Sequence, residues 1–199
     1  MPKNETLQIL IPERLTNASI VYTFNVGLSE SLVPQLINYS TTDPFIRRYT
    51  SDTSRFRDEQ AYLTWRKKDR TIYSLTNEDG TGLVGIVWFG REVIPYLQFE
   101  LLEQIKPEDY GITTAKRLYG EARGKGIAKG MMRMAYTEYL KTHLQDKHTG
   151  IWSMTSTDNE RNIRVNESFG IRRVSKPNSN GKILMVVSYE DLVATLKPK

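Results

Sequence analysis

A run of alternating branched and polar residues at 112–119 passes through Arg123-Gly124-Lys125-Gly126-Ile127-Ala128 into an apolar-periodic run at 126–143, and a branched run follows at 151–157. Strand, glycine turn, long helix and strand in that order call for a sheet with a helix laid on its face, which commits the chain to a mixed α/β architecture. The turn constrains chemistry as well. Its two glycines leave the main chain bare, and Arg123, Lys125 and Lys129 add positive charge beside it. The first amides of a helix lack partners, and the macrodipole places about half a positive charge there. The segment therefore reads as a pyrophosphate cradle at a helix start. It is neither the Gly-x-Gly-x-x-Gly of a dinucleotide fold nor the Gly-Lys-Ser/Thr of a Walker loop.

At 199 residues, 39% hydrophobic and 26% charged, the chain fits one domain able to bury a core. The absence of Cys excludes disulfides, thiolate metal sites and a cysteine nucleophile. His143 and His148 have no carboxylate cluster beside them in the sequence and read as surface histidines, so no metal is expected. No apolar run approaches a membrane span, and 1–5 lack the layout of a signal peptide, which predicts a cytoplasmic protein without a membrane partner. A net charge of +5 permits polyanion binding, but the basic residues are spread out, which disfavours a nucleic-acid partner.

Ahead of the cradle, 5–11 and 20–26 read as strands, and Ser29 reads as the cap of a helix running to about Tyr39. Residues 57–68 read as a second helix with Tyr62, Leu63 and Trp65 as its apolar side. A hairpin joins 71–75 to 82–89 across Asp79-Gly80. Residues 93–110 are ambiguous between a strand at 93–99 and a helical turn at 101–105. After 151–157 come a short helix and a hairpin, 171–174 with 183–189, across 178–181.

The cradle resembles motif A of the GCN5-related N-acetyltransferases (GNAT), Gln/Arg-x-x-Gly-x-Gly/Ala, whose ligand is the pyrophosphate of acetyl-CoA. About thirty residues on, Asn159-Glu160-Arg161-Asn162-Ile163-Arg164-Val165-Asn166-Glu167-Ser168-Phe169-Gly170-Ile171 resembles motif B, with Gly170 as a left-handed cap. The resemblance covers about 70–190. It implies a GNAT fold: a central mixed, mostly antiparallel, twisted sheet of about six to seven strands flanked by about four helices. It also implies a single domain over 1–199, with an acceptor-side part at 1–70 and an acetyl-CoA-binding core at 71–190.

The implied activity is acetyl transfer from acetyl-CoA, as cosubstrate, to a primary amine, either a protein N-terminus or a small amine. The attack is direct and needs no covalent enzyme intermediate. Coenzyme binding falls to the main chain of Leu118 and Tyr119 at a strand edge, to Arg123, Gly124, Lys125, Gly126, Ile127, Ala128 and Lys129, and to Asn159 and Asn162. Many members carry a Tyr as general acid where this chain has Asn166, which can hydrogen-bond the sulfur or a water. Some use a Glu as base where it has Met154. Glu100, Asp109 and Glu121 remain as base candidates, Glu100 first, and each reads equally as a solvated surface acid; a water relay is the alternative. Relatives that acetylate protein N-termini and ribosomal proteins share the spacing of Asn159, Val165, Glu167 and Gly170, with Asn162 in place of their Ser. The departures at Asn166 and Met154 keep open a second reading, an inactive acyl-CoA-binding module. The resemblance also leaves room for a homodimer, with 183–189 as its edge.

Overall fold

The computed structural model describes residues 6–12 and 19–197. They divide into two compact units, Met1–Trp88 with Lys116–Ala135, and Phe89–Ala115 with Tyr136–Lys199.

In the first unit β1 (Thr6–Pro12) pairs antiparallel with β2 (Ser19–Val26), and β2 with β3 (Arg70–Asn77). Glu5, included in the expected first strand, lies outside the described residues. β3 turns back into β4 (Leu83–Arg91), with the Gly80 amide donating to Asn77 O at 3.1 Å and Gly80 at φ 78°. The end of β5 (Tyr110–Leu118) lies beside β4, where the Tyr119 amide donates to Val84 O at 2.9 Å.

Four helices fill the connection from β2 to β3: α1 (Val33–Thr42), α2 (Pro44–Tyr49), α3 (Asp52–Arg55) and α4 (Glu59–Arg66). Ser29 does not cap α1. A 3-10 turn at Glu30–Leu32 intervenes, and α1 starts with a proline in its first turn, where a missing N–H costs nothing. Asp43 caps α2 and Asp58 caps α4. On α4, Tyr62 and Trp65 are buried while Leu63 is 37% exposed, because residues three apart share a helix face and the residue next to Tyr62 does not. Phe56, Trp65 and Trp88 meet edge to face, with Phe56–Trp65 at 4.8 Å and Trp65–Trp88 at 5.3 Å.

In the second unit β5 pairs in parallel with β6 (Gly150–Ser156), β6 antiparallel with β8 (Lys182–Val187), and β8 antiparallel with β7 (Arg172–Arg173). The long helix α5 (Ile127–Thr142) links β5 to β6, and α6 (Glu160–Glu167) follows β6. Phe89, Tyr139, Tyr136 and Phe169 form this unit's aromatic core, with Phe89 stacked on Tyr139 at 4.2 Å. The 93–110 region forms no strand over 93–99. Nor does it form a helical turn over 101–105: its 3-10 turns lie at Tyr96–Gln98 and Pro107–Asp109, and Ile94, Tyr96, Phe99 and Leu101 pack with Trp152, Leu184 and Val186.

The proposed dimer edge at 183–189 is corrected: β8 has β6 on one side and β7 on the other, so it is not a free edge. Its last residues instead start α7 (Tyr189–Leu196), capped by Ser188. The fold class is otherwise the expected one, a mixed and mostly antiparallel sheet with helices. The described residues carry eight strands, counting the two-residue β7. Among them, no helix is long and apolar enough to cross a membrane.

Candidate functional site

β5 delivers the chain to the cradle. Along a strand, successive residues turn their amide and carbonyl to opposite edges. With the Tyr119 amide committed to Val84, the polar groups of Leu118 face the edge away from β4. The Tyr119 ring is buried and stacks flat on Tyr39 at 4.6 Å, and burial pushes its hydroxyl well above its usual range. On the same strand, Lys116 is lowered to about 7 by burial, with the neighbouring Arg117 charge adding to the effect.

After a 3-10 turn at Gly120–Ala122, Arg123 is extended, and Gly124 and Gly126 take φ of 84° and 82°. These are left-handed conformations that a side chain would resist. A Cβ on Gly124 would meet nothing within 4 Å, so the main chain is open to an approaching group. α5 begins at Ile127, whose buried side chain anchors the helix start, while Lys129 is exposed and Ala128 half-buried. The opening amides of α5 and the loop before it make a concave donor surface suited to a phosphate.

The Arg123 side chain, read in the sequence as adding positive charge beside the cradle, makes contacts within the first unit. Its guanidinium donates to Asp43 Oδ2 at 2.7 Å and lies 5.1 Å over the Phe45 ring. Nearby, Arg117 donates to both oxygens of the fully buried Asp52, to Oδ2 at 2.5 Å and to Oδ1 at 3.0 Å. Sequence reasoning missed both carboxylates, although Asp43-Pro44 carries a legible helix-start signal.

In the second unit the Asn residues line one face of α6. Asn159 caps it, accepting the Asn162 amide at 3.3 Å. Asn162 Nδ2 donates to Thr155 Oγ1 at 2.7 Å. Asn166 is 3% exposed and its Nδ2 donates to Ser153 Oγ at 3.2 Å and Met185 Sδ at 3.6 Å. The face of α6 is thereby bonded to the Ser153 and Thr155 side of β6. Met154 points from the opposite face of β6 and is 45% exposed. β5 and β6 are in register only as far as Thr113 and Trp152, whereas β6 stays paired with β8 through Ser156. One edge of β6 is therefore released where its partner leaves.

Glu100 is exposed, and its carboxylate pairs with Lys176 Nζ at 2.6 Å. Asp109 is exposed on a 3-10 turn, and the side chain of Glu121 lies outside the described residues. Of the histidines, His143 stacks on Tyr139 and His148 pairs with Glu190. No group of three or more His, Cys, Asp or Glu that could hold a metal occurs among the described residues.

No family pattern matches the chain, and no curated protein matches it in sequence. Solved structures do. Aminoglycoside acetyltransferase AAC(6')-Ib with coenzyme A and kanamycin superposes at TM-score 0.62 and 17% identity, over 88% of this chain and 99% of that one. Spermidine N-acetyltransferase from Vibrio cholerae, with CoA and spermine, gives 0.61 and 15%, over 86% and 98%. Ribosomal-protein-S5-alanine acetyltransferase from Vibrio fischeri gives 0.56 and 15%, over 96% and 100%. With these neighbours, and with a left-handed glycine loop opening the helix between its parallel strands, the chain has the fold of the GCN5-related N-acetyltransferases.

Proposed function

We propose that the protein is an acetyl-CoA-dependent N-acetyltransferase that transfers an acetyl group to a primary amine by direct attack on the thioester. The observation that carries this is the loop Arg123-Gly124-Lys125-Gly126: two left-handed glycines directly before the first turn of α5, with open space at Gly124. The neighbours whose structures contain CoA act on amines, an aminoglycoside and a polyamine among them, which supports the same reaction class.

Acetyl-CoA supplies the activated acyl group; the chain's part is to bind and orient. Amides at 124–129 and the Lys129 charge hold the pyrophosphate, and the outward edge of Leu118 pairs with the pantetheine arm. Asn159 and Asn162 are the side chains read as contacting the pantetheine arm from the start of α6. Holding both reactants in place contributes on the order of 7 kcal/mol in favourable cases. Asn166 has the role of fixing β6 against α6, because its amide is spent on Ser153 and Met185. A thiolate with a reference pKa of about 8.5 departs without a dedicated acid more readily than an alkoxide would.

The state of two candidate catalytic groups favours a second reading. Glu100 is paired with Lys176 and Asn166 is buried, as in an acyl-CoA-binding module without turnover. Release of free thiol from acetyl-CoA, measured across N-terminal peptides, polyamines and aminoglycosides, separates the two. Acceptor-dependent release is the expected result and identifies the substrate class. No release with a coenzyme-induced rise in melting temperature supports the binding module, and no release with no rise removes the coenzyme reading.

A further inference from the structure

We infer that Asp43 is a positioning residue for the coenzyme loop, acting through Arg123; this rests on the reading of 120–129 as a coenzyme cradle. Asp43 divides its two oxygens between two tasks. Oδ1 caps α2, accepting the amides of Phe45 at 2.9 Å and Ile46 at 3.3 Å. Oδ2 accepts from Arg123 Nη1 at 2.7 Å. The guanidinium also lies over Phe45, a residue whose place that same cap sets. Arg123 is therefore gripped by a carboxylate and by a ring that the carboxylate itself orients.

The grip sits where the loop needs it. Arg123 directly precedes left-handed Gly124, and a glycine-flanked segment loses much conformational freedom when a ligand orders it. Tying Arg123 at its far end removes part of that freedom beforehand. The Asp43 side chain is 7% exposed and that of Arg123 27%, so the pair is far less solvated than an exposed surface pair. Six residues earlier, Arg117 is pinned to buried Asp52. The stretch that contains the Leu118 edge is thus held at both ends.

Positioning through Arg123 and plain electrostatics act with opposite sign on coenzyme binding. Asp43 is an anion beside a loop read as an anion site, so by Coulomb's law alone its removal strengthens phosphate binding. If Asp43 acts by holding Arg123, its removal weakens binding.

Asp43→Asn tests this, because Asn caps a helix as well as Asp does and only the charged bond is lost. Acetyl-CoA affinity is measured by calorimetry, and KM and kcat by thiol release, for the wild type, Asp43→Asn, Arg123→Gln and the double variant. The expected result is about tenfold weaker binding for Asp43→Asn, equivalent to 1.4 kcal/mol. KM for acetyl-CoA rises with it, while kcat at saturating coenzyme stays within about twofold. The double variant binds no more weakly than Arg123→Gln alone, because the effect passes through Arg123.

Unchanged or tighter binding in a folded Asp43→Asn protein overturns the inference. If that variant does not fold, Arg123→Lys decides. It keeps the positive charge but loses the planar stack on Phe45, so weaker coenzyme binding supports positioning and equal binding refutes it. Wild-type protein that binds no acetyl-CoA removes the cradle reading itself, a different outcome from either.

Discussion

Gly124 of the cradle and the glycines of the sheet are bare for opposite reasons. Gly124 has nothing within 4 Å of where a Cβ would stand, at φ 84°. At Gly85 a Cβ would stand 2.8 Å from the Arg117 carbonyl oxygen and 2.9 Å from the Met131 sulfur. At Gly150 it would stand 2.6 Å from the Tyr110 ring and 2.9 Å from the Val187 carbonyl oxygen. The sheet glycines make room for the chain's own atoms, and Gly124 leaves room for something else. Openness alone does not separate them: Gly80 and Gly181 are equally open and left-handed, but they sit in turns between strands. It is openness together with a following sixteen-residue helix that points to a ligand.

The largest expected break in this comparison is Gly126→Val. A β-branched residue is an outlier at φ 82° and would shield the helix-start amides. Acetyl-CoA affinity should fall about a thousandfold, close to 4 kcal/mol, while the melting temperature moves by only a few degrees. Calorimetry on the folded variant checks it, and unchanged affinity would remove the cradle.

Gly150→Val should do the reverse. One of the crowding atoms is a main-chain oxygen that cannot swing away, so the cost belongs at the upper end of overpacking, about 3 kcal/mol. Denaturant unfolding would show it as a lower midpoint at unchanged slope. A neutral result would mean that β5 and β6 are less tightly apposed at Tyr110 and Gly150 than their register implies.

Asn166→Ala probes the motif that the sequence assigned to catalysis and the structure packs away. Loss of its bond to Ser153 leaves a buried hydroxyl short of a partner and should cost about 1.5 kcal/mol of stability. The kcat of the folded protein should stay within about threefold of wild type, since the amide is expected to anchor β6 and not to touch the thioester. A drop in kcat at unchanged melting temperature would return Asn166 to the chemistry.

What was legible in the sequence follows the range of the interactions. The β5–α5–β6–α6 order and its caps rest on local signals: glycines at left-handed φ, Asn159 before a helix, and alternating branched residues. The Asp43–Arg123 and Asp52–Arg117 pairs join residues 80 and 65 positions apart, and no local pattern announces them. The 93–110 region is ambiguous for the same reason. Leu102 N donates to Val174 O, Lys176 N to Glu100 O, and Leu101 bridges to Ser175, so the rest of the unit sets its shape. α7 had a readable start in Ser188 with Glu190 and Asp191 behind it, but the apolar run before it drew the strand reading too far.

The smallest effect lies between the crowded sheet and the open loop, at Lys116 on the strand that leads from one to the other. Burial lowers its ammonium from 10.5 to about 7, so near neutrality it is held at a cost that the unfolded chain does not bear. Between about pH 7 and 10.5 the unfolded state carries one proton more than the folded state, and stability rises with pH across that window. Below it both states are charged and the full cost is felt. Lys116→Met removes the titration. From pH 7 to 8 the wild-type melting temperature should therefore climb relative to the variant's by a few degrees, since the gain is about 1 kcal/mol and a chain of this size responds at about 2–4 °C per kcal/mol. Parallel curves would mean that Lys116 reaches solvent. The strand would then be as open at residue 116 as the loop is at residue 124, and the contrast between crowded sheet and bare cradle would have to begin upstream of β5's last turn toward the glycines.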